Sequence, residues 1–240
     1  MQDTLHLAAP KPRMIAHRGA SGLETENTAS AFVAAGNRSY YGIETDVHLT
    51  RDGAFIIIHD DNTRRVAGDA LEVEDTTLET LRALRLMDKD GRRGRQDLML
   101  PTLSEYAGIC RHYGKQAVLE LKNPMAAEDV GRIVDTLREE GWLEHTTFIS
   151  FDLDNLKHLR RLLPEQKAQY LVEQDTPELL PTLLHNRLDL DIYWKALTEA
   201  RVQELHSHGI EINVWTVDDP ADARRLADWG VDYITSNCVE

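Results

Sequence analysis

Short apolar runs alternate with longer amphipathic stretches along most of the chain. The apolar runs have the composition of buried strands, whereas the longer stretches place apolar residues three and four positions apart, as on one helix face. Strands that alternate with helices form parallel sheets. The sequence predicts strands at 14–17, 43–49, 54–59, 116–122, 147–151, 168–172, 188–193, 210–215 and 233–235, and helices at 28–37, 103–113, 127–140, 153–163, 177–185, 198–208 and 220–229.

This alternation predicts the fold class. About eight parallel strands in a chain of 240 residues are typical of a (β/α)8 TIM-type barrel. The chain contains no linker rich in Ser or Pro and no low-complexity tract. We therefore expect residues 1–240 to form one barrel domain.

Three segments depart from the alternation. The link Thr50–Gly53 is too short for a crossover helix and contains Asp-Gly, so residues 54–59 are expected to return antiparallel. From 61 to about 106 the pattern is least regular, with a short helix ending near Leu84 and a charged, glycine-containing run at 88–95 that is typical of an exposed loop. Residues 1–13 are expected to be a disordered tail.

Charge and composition exclude several classes of function. The chain has 27 Lys and Arg against 41 Asp and Glu, a formal net charge of −14. So acidic a chain is unsuited to nucleic-acid binding or to an anionic membrane surface, because both rely on Lys and Arg. No apolar run approaches the roughly 20 residues that span a bilayer. The two cysteines lie in no metal or redox motif, and no signal peptide is evident, so we expect a cytoplasmic protein with free thiols. The oligomeric state stays open.

Two strand segments carry paired charges. Glu44 and Asp46 are two positions apart, so both side chains leave one face of a strand. Adjacent carboxylates repel unless a cation or a proton lies between them, and carboxylates suit Mg²⁺ or Ca²⁺. Glu120 and Lys122 share a face for the same reason. Taken alone, the Glu44 and Asp46 pair is more simply explained as the solvated face of a strand, and Glu120 with Lys122 could be only a surface ion pair.

Two histidines follow predicted strands. His17-Arg18-Gly19 comes after an apolar run, and His59-Asp60 ends another. Arg suits bidentate contact with a phosphate, and His is the usual proton carrier near neutral pH. The ends of barrel strands are where such enzymes place their chemistry. A capping or surface role is the common alternative for a histidine at a strand end.

These motifs together resemble the glycerophosphodiester phosphodiesterase family. The resemblance covers about residues 14–236, and order and spacing agree, although Thr25 stands where the family usually has Pro. The matching motifs are His17-Arg18-Gly19, Glu26-Asn27-Thr28, Glu44-x-Asp46, His59-Asp60, Pro101-Thr102-Leu103, Glu120-x-Lys122 and Val214-Trp215-Thr216.

The resemblance implies a site and a reaction. It implies hydrolysis of glycerophosphodiesters, with an insertion after His59-Asp60 that overlooks the site, so the basic run at 88–95 either meets an anionic head group or is simply solvated. It implies roles for eight residues: one divalent cation (Mg²⁺ or Ca²⁺) on Glu44, Asp46 and Glu120; phosphate contacts from Arg18 and Lys122; acid–base catalysis by His17 and His59; and an apolar wall for the glycerol carbons from Trp215. The remaining histidines are expected on tails or helices, without a role.

Other functions stay open at this point. Within the same family, the substrate could be a lysophospholipid, which would make the chain a lysophospholipase D. From another class, it could be a barrel that binds phosphate esters without catalysis, but such a barrel would lack a catalytic position, and none is missing here. The small-molecule substrate is the one partner that the resemblance implies.

Overall fold

Eight parallel strands close into a barrel in the computed structural model, which describes residues 3–10 and 12–240. The pairing of β1 with β2 closes it, through Ile15 with Gly42 and Ala16 with Ile43. This confirms the predicted (β/α)8 fold. The barrel strands are β1 Arg13–Ala16, β2 Gly42–Leu49, β4 Gln116–Leu121, β5 Thr146–Ser150, β6 Ala168–Val172, β7 Asp189–Tyr193, β8 Ile212–Trp215 and β9 Tyr233–Ser236, and β3 Phe55–Ile57 lies outside it.

Helices surround the barrel where the sequence predicts them, except for the four-residue helix Arg64–Ala67, which was not predicted. Their apolar stripes face the strands; α5, for example, buries Val130, Ile133 and Leu137. The helices are α1 Ala29–Gly36, α2 Arg64–Ala67, α3 Leu78–Ala83, α4 Leu103–Tyr113, α5 Ala127–Glu139, α6 Leu153–Leu162, α7 Leu179–Asn186, α8 Glu199–Ser207 and α9 Pro220–Trp229, with 3₁₀ turns at Leu143–His145 and Trp194–Ala196. Within the described part of the chain, no helix has the length and hydrophobicity that a bilayer crossing requires.

Strand register decides which side chains enter the barrel. Every residue of β2 before Leu49 is buried, because one face meets the helices and the other lines the barrel. Ile43 and Val47 pack in the outer core, so Glu44 and Asp46 point inward, because successive side chains alternate. Asp46 lies directly opposite Glu120 of β4.

The predicted hairpin is present. β3 runs antiparallel to β2, with Val47 opposite Ile57 and Leu49 opposite Phe55. Gly53 has φ +78° in the turn, a conformation that glycine adopts without strain. The segment between β3 and α4 packs around its own apolar cluster of Ile56, Ile58, Val66, Ala67, Val73, Leu81, Leu86, Leu98 and Leu100.

Two predictions are wrong. The N-terminal segment is ordered where it is described, because Leu5 forms a β-bridge with Val239 and Leu7 donates a backbone hydrogen bond to Glu240. The same prediction for Met1, Gln2 and Lys11 lies outside the described residues. His48 lies on β2 and is fully buried, not on a tail or helix. The predicted strand at 43–49 already contains position 48, so placing His48 on a tail or helix disagreed with that strand.

Candidate active site

Three inward carboxylates meet at one end of the barrel. Glu44, Asp46 and Glu120 are 4%, 1% and 7% exposed. Each offers one oxygen within 4.8 Å of the oxygens of the other two. Three such groups can bind one hard cation together, because carboxylate oxygens are its preferred protein ligands. Glu44 and Asp46 thus lie on one face of β2, as their spacing predicts, and Glu120 lies beside them.

The electrostatics of the cluster show a deficit of positive charge. Burial and the Asp46 carboxylate raise the pKa of Glu120 to about 8, and burial and Asp46 also raise the pKa of Glu44 well above its usual range. Burial alone would raise the pKa of Asp46, but Arg18 and Lys122 outweigh it and hold that pKa far below its usual range. The negative charge of Asp46 is therefore stabilised, whereas ionising Glu44 or Glu120 costs free energy.

A divalent cation fits this cluster. Oδ1 of Asp46 is buried and has no hydrogen-bond partner among the described residues. A buried acceptor without a partner is costly, and a carboxylate oxygen can be satisfied by a metal ion. The donor set is all oxygen, so the cluster can hold a divalent ion.

Two cations flank the cluster. Nζ of Lys122 lies 2.8 Å from Oε1 of Glu120 and 3.6 Å from Oδ1 of Asp46. Nε of Arg18 lies 3.7 Å from Oδ2 of Asp46. Both side chains line the barrel mouth, so the structure brings the two predicted phosphate-contacting residues to the carboxylates.

The loop after β1 is bent to reach the cluster. Arg18 has φ +55°, and its backbone N–H donates to Oε2 of Glu44 at 2.8 Å. Gly19 has φ +79°, and a Cβ there would lie 2.7 Å from the backbone of Ala31, so only glycine fits.

The Glu-Asn-Thr motif divides into two roles. Thr28 caps α1 by accepting a hydrogen bond from the backbone N–H of Ala31, which is a common role for a threonine before a helix. Asn27 instead enters the site, where its Nδ2 donates to Oδ2 of Asp46 at 2.8 Å. Asn27 also accepts from the hydroxyl of Thr45 at 2.7 Å, which holds the amide in this orientation.

His17 is held by an asparagine. Asn237 donates through Nδ2 to the carboxylate of Asp218 at 2.6 Å, so its Oδ1 must face Nδ1 of His17, 2.8 Å away. Nδ1 therefore carries the proton, and Nε2 of the neutral ring has a free lone pair. Burial, together with the nearby Arg18 charge, lowers the pKa of His17 to about 4.

His59 is held by a carboxylate. Its Nδ1 donates to Oδ1 of Asp60 at 2.8 Å. Burial lowers the pKa of His59, and the Arg18 and Lys122 charges act the same way, while Asp46 and Asp60 oppose them. His17 and His59 line the same cavity, so the structure brings the two predicted catalytic histidines together.

An arginine of the insertion completes a chain of charged contacts that was not predicted from the sequence. Arg65 of α2 contacts both oxygens of Asp60 at 2.7 and 2.9 Å and both oxygens of Glu26 at 2.7 and 2.8 Å. Glu26 in turn accepts from Nη1 of Arg18 at 2.8 Å. This chain of contacts runs from His59 through Asp60, Arg65 and Glu26 to Arg18. In the sequence, the chain of contacts is visible only through its two acids, Glu26 of the Glu-Asn-Thr motif and Asp60 of the His-Asp motif.

Aromatic side chains form one wall of the cavity. Trp215 makes an edge contact with Phe151 and a tilted contact with Tyr193, both with ring centroids 5.7 Å apart. Trp215 and Phe151 line the cavity. Trp215 therefore lies where the sequence analysis expects an apolar wall. Phe151 and Tyr193 were missed because a lone aromatic at a strand end has no motif around it.

The cavity has a floor that the sequence analysis also missed. Asp191 of β7 lines the same cavity of about 60 Å³ as His17, Glu44, Glu120 and Trp215. Its side chain is buried, and burial raises its pKa well above the usual range, with the Glu120 carboxylate acting in the same direction. Residues 188–193 alternate apolar residues with Asp189 and Asp191. This alternation is typical of a strand with one solvated face, so it gave no sign that Asp191 lies inside the barrel.

The basic run of the insertion is largely paired with acids of the chain itself. Arg95 contacts Glu24 and Asp97, both at 2.7 Å. Arg93 contacts Asp69 at 2.8 Å. These pairs favour the interpretation of the run as a solvated loop over contact with an anionic head group.

Known proteins resemble this chain over most of its length. Residues 17–240 match the model of the glycerophosphoryl diester phosphodiesterase family. The chain is 28% identical over 236 residues to a glycerophosphodiester phosphodiesterase of Caldanaerobacter subterraneus subsp. tengcongensis, and the match covers 96% of each chain. It is 27% identical over 244 residues to a glycerophosphodiester phosphodiesterase of Bacillus subtilis, covering 93% of this chain and 82% of that one.

Solved structures resemble the whole chain. A phosphodiesterase of Oleispira antarctica in complex with sn-glycerol-3-phosphate superposes with a TM-score of 0.87 at 27% identity, covering 97% of this chain and 95% of that one. A glycerophosphodiester phosphodiesterase of Parabacteroides distasonis has a TM-score of 0.78 at 27% identity, covering 98% and 94%. The chain therefore belongs to the glycerophosphoryl diester phosphodiesterase family and is a phosphoric diester hydrolase.

Proposed function

We propose that the chain hydrolyses glycerophosphodiesters to glycerol 3-phosphate and an alcohol, using one divalent cation on Glu44, Asp46 and Glu120. The observation that carries this proposal is one cavity lined by Glu44, Glu120, Arg18 and both histidines, with Asp46 beside Arg18 and Lys122 beside Glu120. The product bound to the Oleispira antarctica relative supports the same substrate class. Mg²⁺ and Ca²⁺ both suit an all-oxygen site.

The charged residues would bind the phosphodiester. A bound divalent cation supplies polarisation of the phosphoryl group and neutralises charge that develops on its oxygens. Arg18 and Lys122, already beside Asp46, would contact the same oxygens and stabilise the transition state. The contact of Arg18 with Glu26, which Arg65 holds in turn, would keep the Arg18 guanidinium in place.

The two histidines would divide the proton transfers. His17 suits the base, because its Nδ1–H is committed to Asn237 and its Nε2 lone pair is free. It would take a proton from the attacking oxygen, whether of water or of the neighbouring glycerol hydroxyl. His59 suits the acid, because the Asp60 carboxylate stabilises its protonated form, and it would protonate the leaving oxygen.

A product assay tests the proposal. Purified protein with Mg²⁺ or Ca²⁺ is incubated with glycerophosphocholine, glycerophosphoethanolamine, glycerophosphoglycerol and a lysophosphatidylcholine. Release of glycerol 3-phosphate from the glycerophosphodiesters is the expected result. Release of lysophosphatidate alone would instead identify a lysophospholipase D, and no turnover of any of the four would favour a non-catalytic binder.

One observation keeps the lysophospholipase alternative in the same assay. A cleft lined by Phe151, Leu153, Leu171 and Leu179 shares Phe151 and Leu171 with the cavity. An apolar cleft next to the reacting phosphate would suit an acyl chain. It also suits an alcohol head group, and its lining includes Glu173 and Glu178, which an acyl chain would not need.

We propose a cytoplasmic, single-domain enzyme that acts on a small-molecule substrate without nucleic acid. Cys110 and Cys238 are free thiols, which supports a reducing compartment. Fractionation of cells that express the full chain, followed by immunoblotting, tests the location.

A further inference from the structure

A layer of buried polar side chains crosses the barrel on its β6–β9 side. Nδ2 of Asn213 donates to Oδ2 of Asp191 at 3.2 Å and to Oε1 of Gln169 at 3.4 Å. The hydroxyl of Thr235 donates to Oδ1 of Asn213 at 3.2 Å. All four residues are at most 3% exposed. Buried polar groups of this kind normally pair completely.

Asp191 is incompletely paired. Its Oδ1 is buried and has no hydrogen-bond partner within residues 3–10 and 12–240. Asp191 nevertheless lines the cavity that holds His17, Glu44 and Glu120. Because an unpaired buried acceptor costs as much free energy as a lost hydrogen bond, this oxygen indicates a polar group of a ligand.

A second unpaired atom lies on the adjacent strand. Nε1 of Trp215 is buried and has no hydrogen-bond partner in the described part of the chain. Trp215 lies two residues beyond Asn213, the strand partner of Asp191, and lines the same cavity. The two positions offer a carboxyl group and an N–H donor to one ligand.

The lining limits what this ligand can be. Ile149, Leu171 and the Trp215 ring are apolar walls, which suit carbon atoms rather than a charged group. The phosphate belongs with Arg18 and Lys122, the two positive charges beside the carboxylate cluster. The unpaired atoms of Asp191 and Trp215 also require hydrogen-bonding groups on this ligand. A three-carbon polyol fits each of these conditions.

We propose that Asp191 is a specificity-determining residue, which hydrogen-bonds the terminal hydroxyl of the substrate's glycerol, the one farthest from phosphorus, with the indole N–H of Trp215 as a second contact. The inference rests on the proposed function. Asp191 is not one of the three carboxylates whose oxygens converge, and the terminal hydroxyl is likewise the part of glycerol that does not take part in phosphoryl transfer.

The test compares wild type and an Asp191 variant, each assayed with two substrates that differ only in the terminal hydroxyl. The parent substrate is glycerol 3-phosphate esterified to p-nitrophenol, and its analogue carries hydrogen in place of the terminal hydroxyl. Wild type is expected to prefer the parent. Asp191→Leu should lower kcat/KM for the parent about 10- to 100-fold, and for the analogue less than about threefold, because the contact is already absent there.

Two further variants control for structure. Gln169→Leu removes another polar side chain of the same layer that does not line the cavity, and it should change both substrates by the same factor. Asp191→Asn keeps a hydrogen-bonding group and should retain more of the preference for the parent than the leucine variant. Thermal unfolding of each variant establishes that it is folded, and the asparagine variant carries the test if the leucine variant does not fold.

The outcomes separate the two claims. Equal losses on both substrates in either Asp191 variant would give Asp191 a structural role and overturn the inference alone. An unchanged preference for the parent in a folded Asp191 variant would do the same. A wild-type protein that hydrolyses neither substrate would overturn the proposed function and this inference with it.

Discussion

Asp60 is adjacent in sequence to a proposed catalytic histidine and orients it. Its Oδ1 accepts from Nδ1 of His59, and both of its oxygens contact Arg65. A carboxylate at Nδ1 fixes the tautomer and favours the protonated ring. Nε2 of His59 is then the atom left to face the substrate.

Asp60→Asn should therefore move one limb of the pH–rate profile. Burial already lowers the pKa of His59, and without the carboxylate that pKa falls further. The limb that requires protonated His59 is expected to shift to lower pH. The opposite limb, set by His17 with its pKa of about 4, should stay. Measuring kcat/KM from pH 4 to 9 checks this, with Asp90→Asn in the exposed loop as a control for loss of charge.

The two histidines should behave as a unit. His17→Ala and His59→Ala are each expected to lower kcat by about 100-fold or more, since each removes one proton transfer. The double variant should lose far less than the product of the two, because a partner without its counterpart contributes little. A wild-type rate in a folded single variant would remove that histidine from the mechanism. Circular dichroism establishes the fold of each variant.

Residue-scale prediction succeeded where chemistry and spacing are local. Glu44 and Asp46 share a face because strand side chains alternate, so their convergence was readable. Asp191 and Arg65 were not readable, because their roles depend on partners far along the chain: Glu120 lies 71 positions from Asp191, and Glu26 lies 39 positions from Arg65. Local patterns carry no information about such pairs.

Helices and strands, too, were predicted where the local sequence determines them and missed where distant contacts or short length decide. The β2–β3 hairpin was predicted because a four-residue link leaves no room for a helix. The order of the N-terminal segment was missed, because Leu5 is held by Val239 from the other end of the chain. Helix α2 was missed because four residues, Arg64–Ala67, are too few to show a helical period.

Helix α2 connects the insertion to the site through one arginine. Arg65→Ala should lower kcat about 10-fold, because Glu26 and Asp60 lose the guanidinium that orients them toward Arg18 and His59. Arg65→Lys should recover only part of the activity, since an ammonium cannot form two bidentate contacts. Arg64→Ala, on the exposed side of the same helix, serves as the matched control. Equal kcat for Arg65→Ala and wild type would show that the chain of contacts through Arg65 is dispensable for catalysis.

At the scale of the whole molecule, the alternation of apolar runs was enough for the barrel, and barrel closure brought the scattered motifs together. Motifs on β1, β2 and β4 reach one end because parallel strands end on one face. The closure also concentrates acids: three carboxylates are buried in one cluster of a chain with a net charge of −14. Fold stability and cation binding should therefore be linked.

That link predicts how stability changes with pH. The folded-state pKa of Glu120, about 8, is above its ordinary value of 4.5. Without a cation, the folded protein binds a proton that the unfolded chain releases, so stability falls as pH rises toward 8. His17 acts oppositely but only below its ordinary value of 6.5. Between pH 6.5 and 8 the loss due to Glu120 alone should be about 2 kcal/mol or less. Glu44 and Asp191, whose pKa values are also raised, act in the same direction.

A cation should remove this loss, because it takes the place of the proton between the carboxylates. The difference in Tm between Mg²⁺- or Ca²⁺-loaded protein and chelator-treated protein is therefore expected to widen from pH 6.5 to pH 8, and hydrolysis should disappear with the chelator and return with the ion. Glu120→Gln carries no titrating proton at this position, so its chelated form should lose much less stability over the same range. Calorimetry at several pH values measures both. A Tm difference that stays constant with pH, or full activity in metal-free protein, would show that Glu44, Asp46 and Glu120 do not hold the cation.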